Sequence, residues 1–200
     1  TMRHDVKSMT SADHVKLTFN KFNGADLDES VRIFGPSVSA SEDFEPEYIA
    51  ISKDSKTAWV ALQENNAMAI VDIYRANIKS VVGFGFKDHS IEGNGLDASD
   101  KDDIINITTH PVYGMYQPDA IASFDANGET HIISANEGDA REYEGDPGFV
   151  EKDRIKDLEL DPDAFPHADS LQADVVLGRL QITTTLGDTD GDGDYDELYS

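Results

Sequence analysis

EPEYIAISKDSKTAWVALQENNAMAIVDIYRANIKSVVGF, residues 45–84, decides the fold. Four short runs rich in β-branched and apolar residues, YIAIS, TAWVAL, AMAIVDIY and IKSVVGF, alternate with the turn-prone pieces KDSK, QENN and RAN. No apolar stripe at i, i+3, i+4 competes with them, so the segment reads as four antiparallel strands. Four strands in about 40 residues is the length of one β-propeller blade. The alternative is an isolated meander in a β-sandwich.

Part of this segment recurs downstream. EPEYIAIS (45–52) returns as QPDAIASF (117–124), and TAWVALQENNA (57–67) as THIISANEGDA (130–140). Matched positions include Pro46/Pro118, Ile49/Ile121, Ala50/Ala122, Thr57/Thr130, Glu64/Glu137 and Ala67/Ala140. Two elements repeated in one order mark a repeat architecture. The chain therefore reads as all-β, a single segment of β-propeller-like four-stranded blades with long acidic insertions. A partial blade is expected over 1–44, with strands in HVKLTFNKFNG and ESVRIFG. A blade follows over 45–84, an insertion over 85–116, and a second blade over 117–200 that carries its own insertion at 141–177. A short helix is expected in DAFPHADSLQADVVLG, and strands in GRLQITTTLG and DELYS. Closed propellers hold about four to eight blades, so this is the pattern of an incomplete propeller belonging to a longer protein.

Charge is the next dominant feature. Forty Asp and Glu against 16 Lys and Arg leave −24 on 200 residues, while 38% hydrophobic residues still supply a core. Such a chain is repelled by nucleic acid and anionic membranes and gathers cations; adaptation to a salty medium would produce the same total. Cysteine is absent, which excludes disulfides and thiol chemistry. No stretch approaches the roughly 18 apolar residues of a membrane span, and no signal-peptide pattern stands at the N-terminus. Direct membrane insertion and nucleic-acid binding are therefore not expected.

The charge is densest in LGDTDGDGDYDELYS, residues 186–200, where Asp188, Asp190, Asp192, Asp194 and Asp196 alternate. Counting Asp188 as position 1 places aspartates at 1, 3 and 5 and Gly193 at 6, the D-x-D-x-D-G core of a calcium loop. The glycine permits the sharp turn that lets the carboxylates converge; Asp188, Asp190, Asp192 and Asp196 are expected to bind by their side chains and position 7 (Asp194) by its carbonyl. Position 12, a bidentate Glu in an EF-hand, is Tyr199, and RLQITTT before the loop reads as strand. A Ca²⁺ loop on a β scaffold is expected, with affinity toward the weak end, on the order of 10⁻⁴–10⁻³ M. The competing reading is a solvated acidic turn. A second, weaker ligand set comes from the repeat: Glu45, Glu47 and Glu64 correspond to Gln117, Asp119 and Glu137, and Asn66 to Asp139. Equivalent strand ends of successive blades surround one axis and could converge on a central cation; they could equally be rim carboxylates in water. The histidines show no metal-ligand spacing, and no nucleophile elbow, P-loop or dinucleotide fingerprint occurs.

FNGADLDESVRIFGP (22–36), the 45–73 strands, GLDASDKDDIINI (95–107), PVYGMYQPDAIASF (111–124), ISANEGDAREYEG (133–145) and LGDTDGDGDYDELYS together resemble the choice-of-anchor I family. That resemblance implies an extracellular or cell-surface, β-propeller-like domain. Some relatives are labelled alkaline phosphatase-like, with no catalytic residue that maps onto this chain. Three functions follow. The first is a non-catalytic calcium-binding surface or matrix module, partnered by calcium ions and by other surface proteins or copies of itself. The second is a calcium-dependent phosphoesterase, in which clustered acids hold several cations and Arg141 meets the phosphate. The third is a structural assembly subunit joined through strand edges.

Overall fold

The computed structural model describes residues 14–145 and 148–200. Two compact units form, each from two stretches of chain: residues 14–83 with Pro118–Ala135, and Phe84–Gln117 with Asn136–Ser200. The first 13 residues of the expected partial blade, and two positions of the 141–177 insertion, lie outside the described residues.

The first unit is built on the opening stretch. Strands β1 (Pro46–Ile51), β2 (Thr57–Leu62), β3 (Ala67–Asp72) and β4 (Asn77–Gly83) form one antiparallel sheet in sequence order. Each connection is made by a residue suited to it. Ser52 Oγ accepts the Lys56 and Thr57 amides at 3.2 and 3.0 Å, and Asp72 Oδ1 accepts the Arg75 amide at 2.9 Å. Asn66, between β2 and β3, takes φ +49°, a region that asparagine tolerates better than most residues.

One face of this sheet carries the core. Val60, Leu62, Ala67, Ala69 and Ile78 pack with Phe22, Val31, Ala40 and Phe44, and Leu62, Ala67 and Ala69 are fully buried. The chain before the sheet supplies the cover, and here the structure corrects the expectation of strands. HVKLTFNKFNG forms a 3₁₀ turn at Asn20–Phe22, and ESVRIFG forms no strand. Phe19, Phe22 and Phe44 instead make an aromatic cluster with centroids 5.0–6.4 Å apart. The amides a strand would pair are taken elsewhere. Phe34 and Gly35 donate to the buried Asp43 carboxylate, at the end of the single-turn helix α1 (Ala40–Asp43), and Arg32 donates to Asn65 O. Buried amides need partners, and a side-chain acceptor serves as well as a neighbouring strand.

The chain then enters the second unit through β5 (Phe86–Asp88), which pairs with β6 (Tyr113–Met115). It returns to the first unit with β7 (Pro118–Ala126) and β8 (Glu129–Asn136), a hairpin lying against β1. Asn127 and Gly128 close that hairpin with φ of +54° and +83°, the signature of a two-residue type I′ turn. The sequence repeat is thus a repeat of paired strands: β1 and β7 both begin at the matched prolines. After β8 the described chain makes short pairs in the second unit, not a third and fourth strand beside β7 and β8.

Those pairs are β9 (Glu142–Tyr143) with β10 (Phe149–Val150), and β11 (Lys152–Arg154) with β12 (Gln181–Thr183). The helix expected near residue 168 is a single turn, α2 (Ala168–Leu171). Val112, Ile155, Leu160, Phe165, Leu177, Ile182 and Leu198 form this unit's core. Residues 198–200, expected as a strand, extend parallel to β6: Tyr113 and Met115 donate to Leu198 and Ser200 carbonyls, and Ser200 donates back to Tyr113, at 2.7–2.8 Å. On their other side Thr183 of β12 donates to Tyr199 O at 2.9 Å. The protein is all-β with small, mostly antiparallel sheets, and among the described residues none closes into a barrel or propeller. No described helix is long and apolar enough to cross a membrane.

Candidate metal centre

The acidic loop springs from β12 and returns as residues 198–200, so it caps two neighbouring extended segments. Its neck is closed by Gly187, whose carbonyl accepts the Asp196 and Glu197 amides at 2.8 and 3.0 Å. Gly187 has φ +104°, and a Cβ there would run into the Glu197 carbonyl, so this close approach needs glycine. Thr189 adds a second clasp, donating its amide and hydroxyl to Asp196 Oδ2 at 2.7 and 2.6 Å.

Above the neck the aspartates organise the backbone. Asp188 accepts the Gly191 and Gly193 amides, Asp190 the Asp192 amide, and Asp192 the Asp194 amide, at 2.7–3.2 Å. Gly191 and Gly193 take φ of +82° and +105°. One carboxylate oxygen from each of Asp188, Asp190 and Asp192 lies within 4.8 Å of the others, and all three side chains are exposed. Oxygens bound to one Ca²⁺ at about 2.3–2.6 Å are separated by no more than about 5 Å, so the spacing suits a shared cation. The 1-3-5 positions are therefore brought together.

The other two aspartates turn elsewhere. Asp194 and Asp196 form a second triad with Asp161, again within 4.8 Å and partly buried. Tyr195 fixes this approach: its amide donates to Glu159 O and its carbonyl accepts the Asp161 amide, both at 3.0 Å, while its ring packs on the second unit's core. Burial, then the carboxylates of Asp192 and Asp161, push the Asp194 carboxyl up to about 6. The Thr189 hydroxyl and then its amide hold Asp196 below its ordinary value. Asp161 was invisible in the sequence. It stands far upstream in LELDPDAF, and only the pairing of Leu160 with Tyr195 delivers it.

Position 12 explains itself. The Tyr199 hydroxyl donates to Glu197 Oε2 at 2.6 Å, and its ring meets Phe86 and Tyr113 at 4.8 and 5.1 Å. That residue is committed to the sheet and is replaced by nothing bidentate.

The weaker ligand set is placed as follows. In the first unit Glu45 and Asp119 are partly buried, Glu47 is exposed, and Glu64 is buried in the β2–β3 turn with its carbonyl accepting Arg32 Nη1. In the second unit Glu137 and Asp139 are exposed; the Asp139 carbonyl accepts the Gln117 side-chain amide at 2.7 Å. The two carboxylate triads found among the described residues both lie within residues 161–196. Arg141 is buried, its amide donating to Glu151 Oε2 at 2.9 Å.

The family model of the choice-of-anchor I domain matches residues 2–200, essentially the whole chain. No curated protein and no solved structure matches it.

Proposed function

This chain belongs to the choice-of-anchor I domain family, and from that premise we propose that it is a calcium-binding, non-catalytic module of a surface or matrix protein. Membership implies a surface-anchored or extracellular protein in general. The observation that carries the calcium reading is the Asp188, Asp190, Asp192 triad, gathered by Gly193 into a span that one cation can bridge. In this reading those three carboxylates and the Asp194 carbonyl are ligands, and Asp196 braces the loop through Thr189. The repeated β1–β2 and β7–β8 pairs support reading β1–β4 as one propeller blade.

The test is thermal unfolding in calcium and in EDTA. The wild type should melt higher with calcium, and Asp188→Ala with Asp192→Ala should melt alike in both. A double variant that still responds fully places the site elsewhere.

A hydrolytic reading draws on the second triad, because two cations in one loop could bind phosphate and activate water. Turnover of a generic phosphoester with calcium, lost in the same double variant, would favour it. Against it stands Arg141, the expected phosphate partner, which is buried.

A further inference from the structure

The first unit holds a groove that the calcium reading does not use. The β7–β8 hairpin lies against β1, with Ser123 Oγ donating to Ile51 O at 2.8 Å. At the turn ends of the β1–β2 and β7–β8 hairpins an open groove of about 650 Å³ remains. Asp54 comes to it from the β1–β2 turn, Asp125 and Thr130 from β7 and β8, and Thr57 and Trp59 from β2. We propose that this groove binds a neutral oligosaccharide, with one pyranose ring stacked on Trp59 and its hydroxyls held by Asp54 and Asp125.

Strand alternation puts Trp59 there. Val60 and Leu62 point into the first unit's core, so Trp59 stands on the opposite face of β2. On that face its cross-strand neighbour Ala50 and the next residue along, Ala61, are buried, whereas Trp59 stays partly exposed. A large ring left part-wet at the side of a groove is an apolar platform for a flat ligand face. The carboxylates beside it are already positioned. Asp54 Oδ1 accepts the Ser52 hydroxyl and the Lys56 amide at 2.8 and 3.1 Å, and Asp54 Oδ2 pairs with Lys56 Nζ at 3.2 Å. Asp125 Oδ1 accepts the Thr130 hydroxyl at 2.8 Å. An ionised carboxylate has about four acceptor positions, so both can take further donors without giving up these contacts.

This combination selects among ligands. Two carboxylates repel a phosphate or a nucleic acid, and Lys53 on the same lining opposes a cationic amine. A wholly apolar ligand would strip water from the carboxylates and return no hydrogen bond. A neutral pyranose satisfies both surfaces. Its C–H face covers the indole, and its hydroxyls donate to the carboxylates in charge-assisted bonds, the stronger class.

Trp59 is the chain's only tryptophan, so its emission reports this groove alone. Cellotetraose, maltotetraose and chitotetraose, each titrated into the whole chain at millimolar concentration, test the proposal. At least one should shift the emission saturably. Asp54→Asn with Asp125→Asn, both exposed positions, should weaken that binding about tenfold or more. Trp59→Phe, followed by calorimetry, should weaken it too. Asp188→Asn with Asp192→Asn should bind as the wild type does, in calcium or in EDTA. No saturable shift with any of the three sugars overturns the proposal. So does binding that survives loss of both groove carboxylates, or binding that is lost in EDTA.

Discussion

The two units reach stability by different means. In the first, β2 and β3 pair along six residues each, and Leu62, Ala67 and Ala69 are sealed under an aromatic cover. In the second, the strands are two or three residues long, and much of the backbone is satisfied by aspartate side chains and single bridges. A continuous ladder over an apolar core needs nothing further. A patchwork of short pairs holds less by itself, so a cation bound as proposed would add a larger share of its stability.

The contrast can be broken hardest at Leu62. Leu62→Ala removes a fully buried side chain from the first core and should cost about 2–5 kcal/mol. Chemical denaturation in calcium and in EDTA should show the same loss in both, since that unit owes nothing to the cation.

The second unit should show the complementary behaviour. With a dissociation constant of about 10⁻⁴–10⁻³ M, roughly 10 mM calcium should add about 1.4–2.7 kcal/mol. Denaturation of Asp188→Asn with Asp192→Asn should lack this increment, and its stability in EDTA should not fall.

A smaller effect sharpens the electrostatic side. The Asp194 carboxyl is pushed up to about 6 in the folded protein from an ordinary 3.8. A raised carboxyl favours the protonated folded state, so its penalty is present above pH 6 and is relieved as pH falls through 6 toward 4. In EDTA the wild type should therefore gain stability between pH 7 and 5, in melts where Asp194→Asn does not. Smallest of all should be Arg179→Ala. Asp100 is exposed and Arg179 partly so, the two meeting through both Nε and Nη2, and loss of the pair should lower the melting temperature only slightly.

Legibility followed the same division. All four strands of 45–84 could be placed because short β-branched apolar runs and the turn residues between them agree there with the tertiary fold. HVKLTFNKFNG misled because its phenylalanines also suit a strand; only the Asp43 carboxylate and Asn65 carbonyl, distant in sequence from the amides they accept, show why neighbouring ESVRIFG needs no sheet partner. The 1-3-5 aspartates were legible because a calcium loop is a local object. Asp161 was not, since its place beside Asp194 depends on one backbone pairing between residues 160 and 195. Nor was the sheet role of Tyr199, which looked like a missing ligand and is a stacked ring.

The most direct test of the calcium centre is anomalous diffraction from crystals grown with calcium. The account predicts a calcium peak about 2.3–2.6 Å from carboxylate oxygens of Asp188, Asp190 and Asp192. Well-ordered density for this loop with no anomalous peak among those three side chains would contradict it.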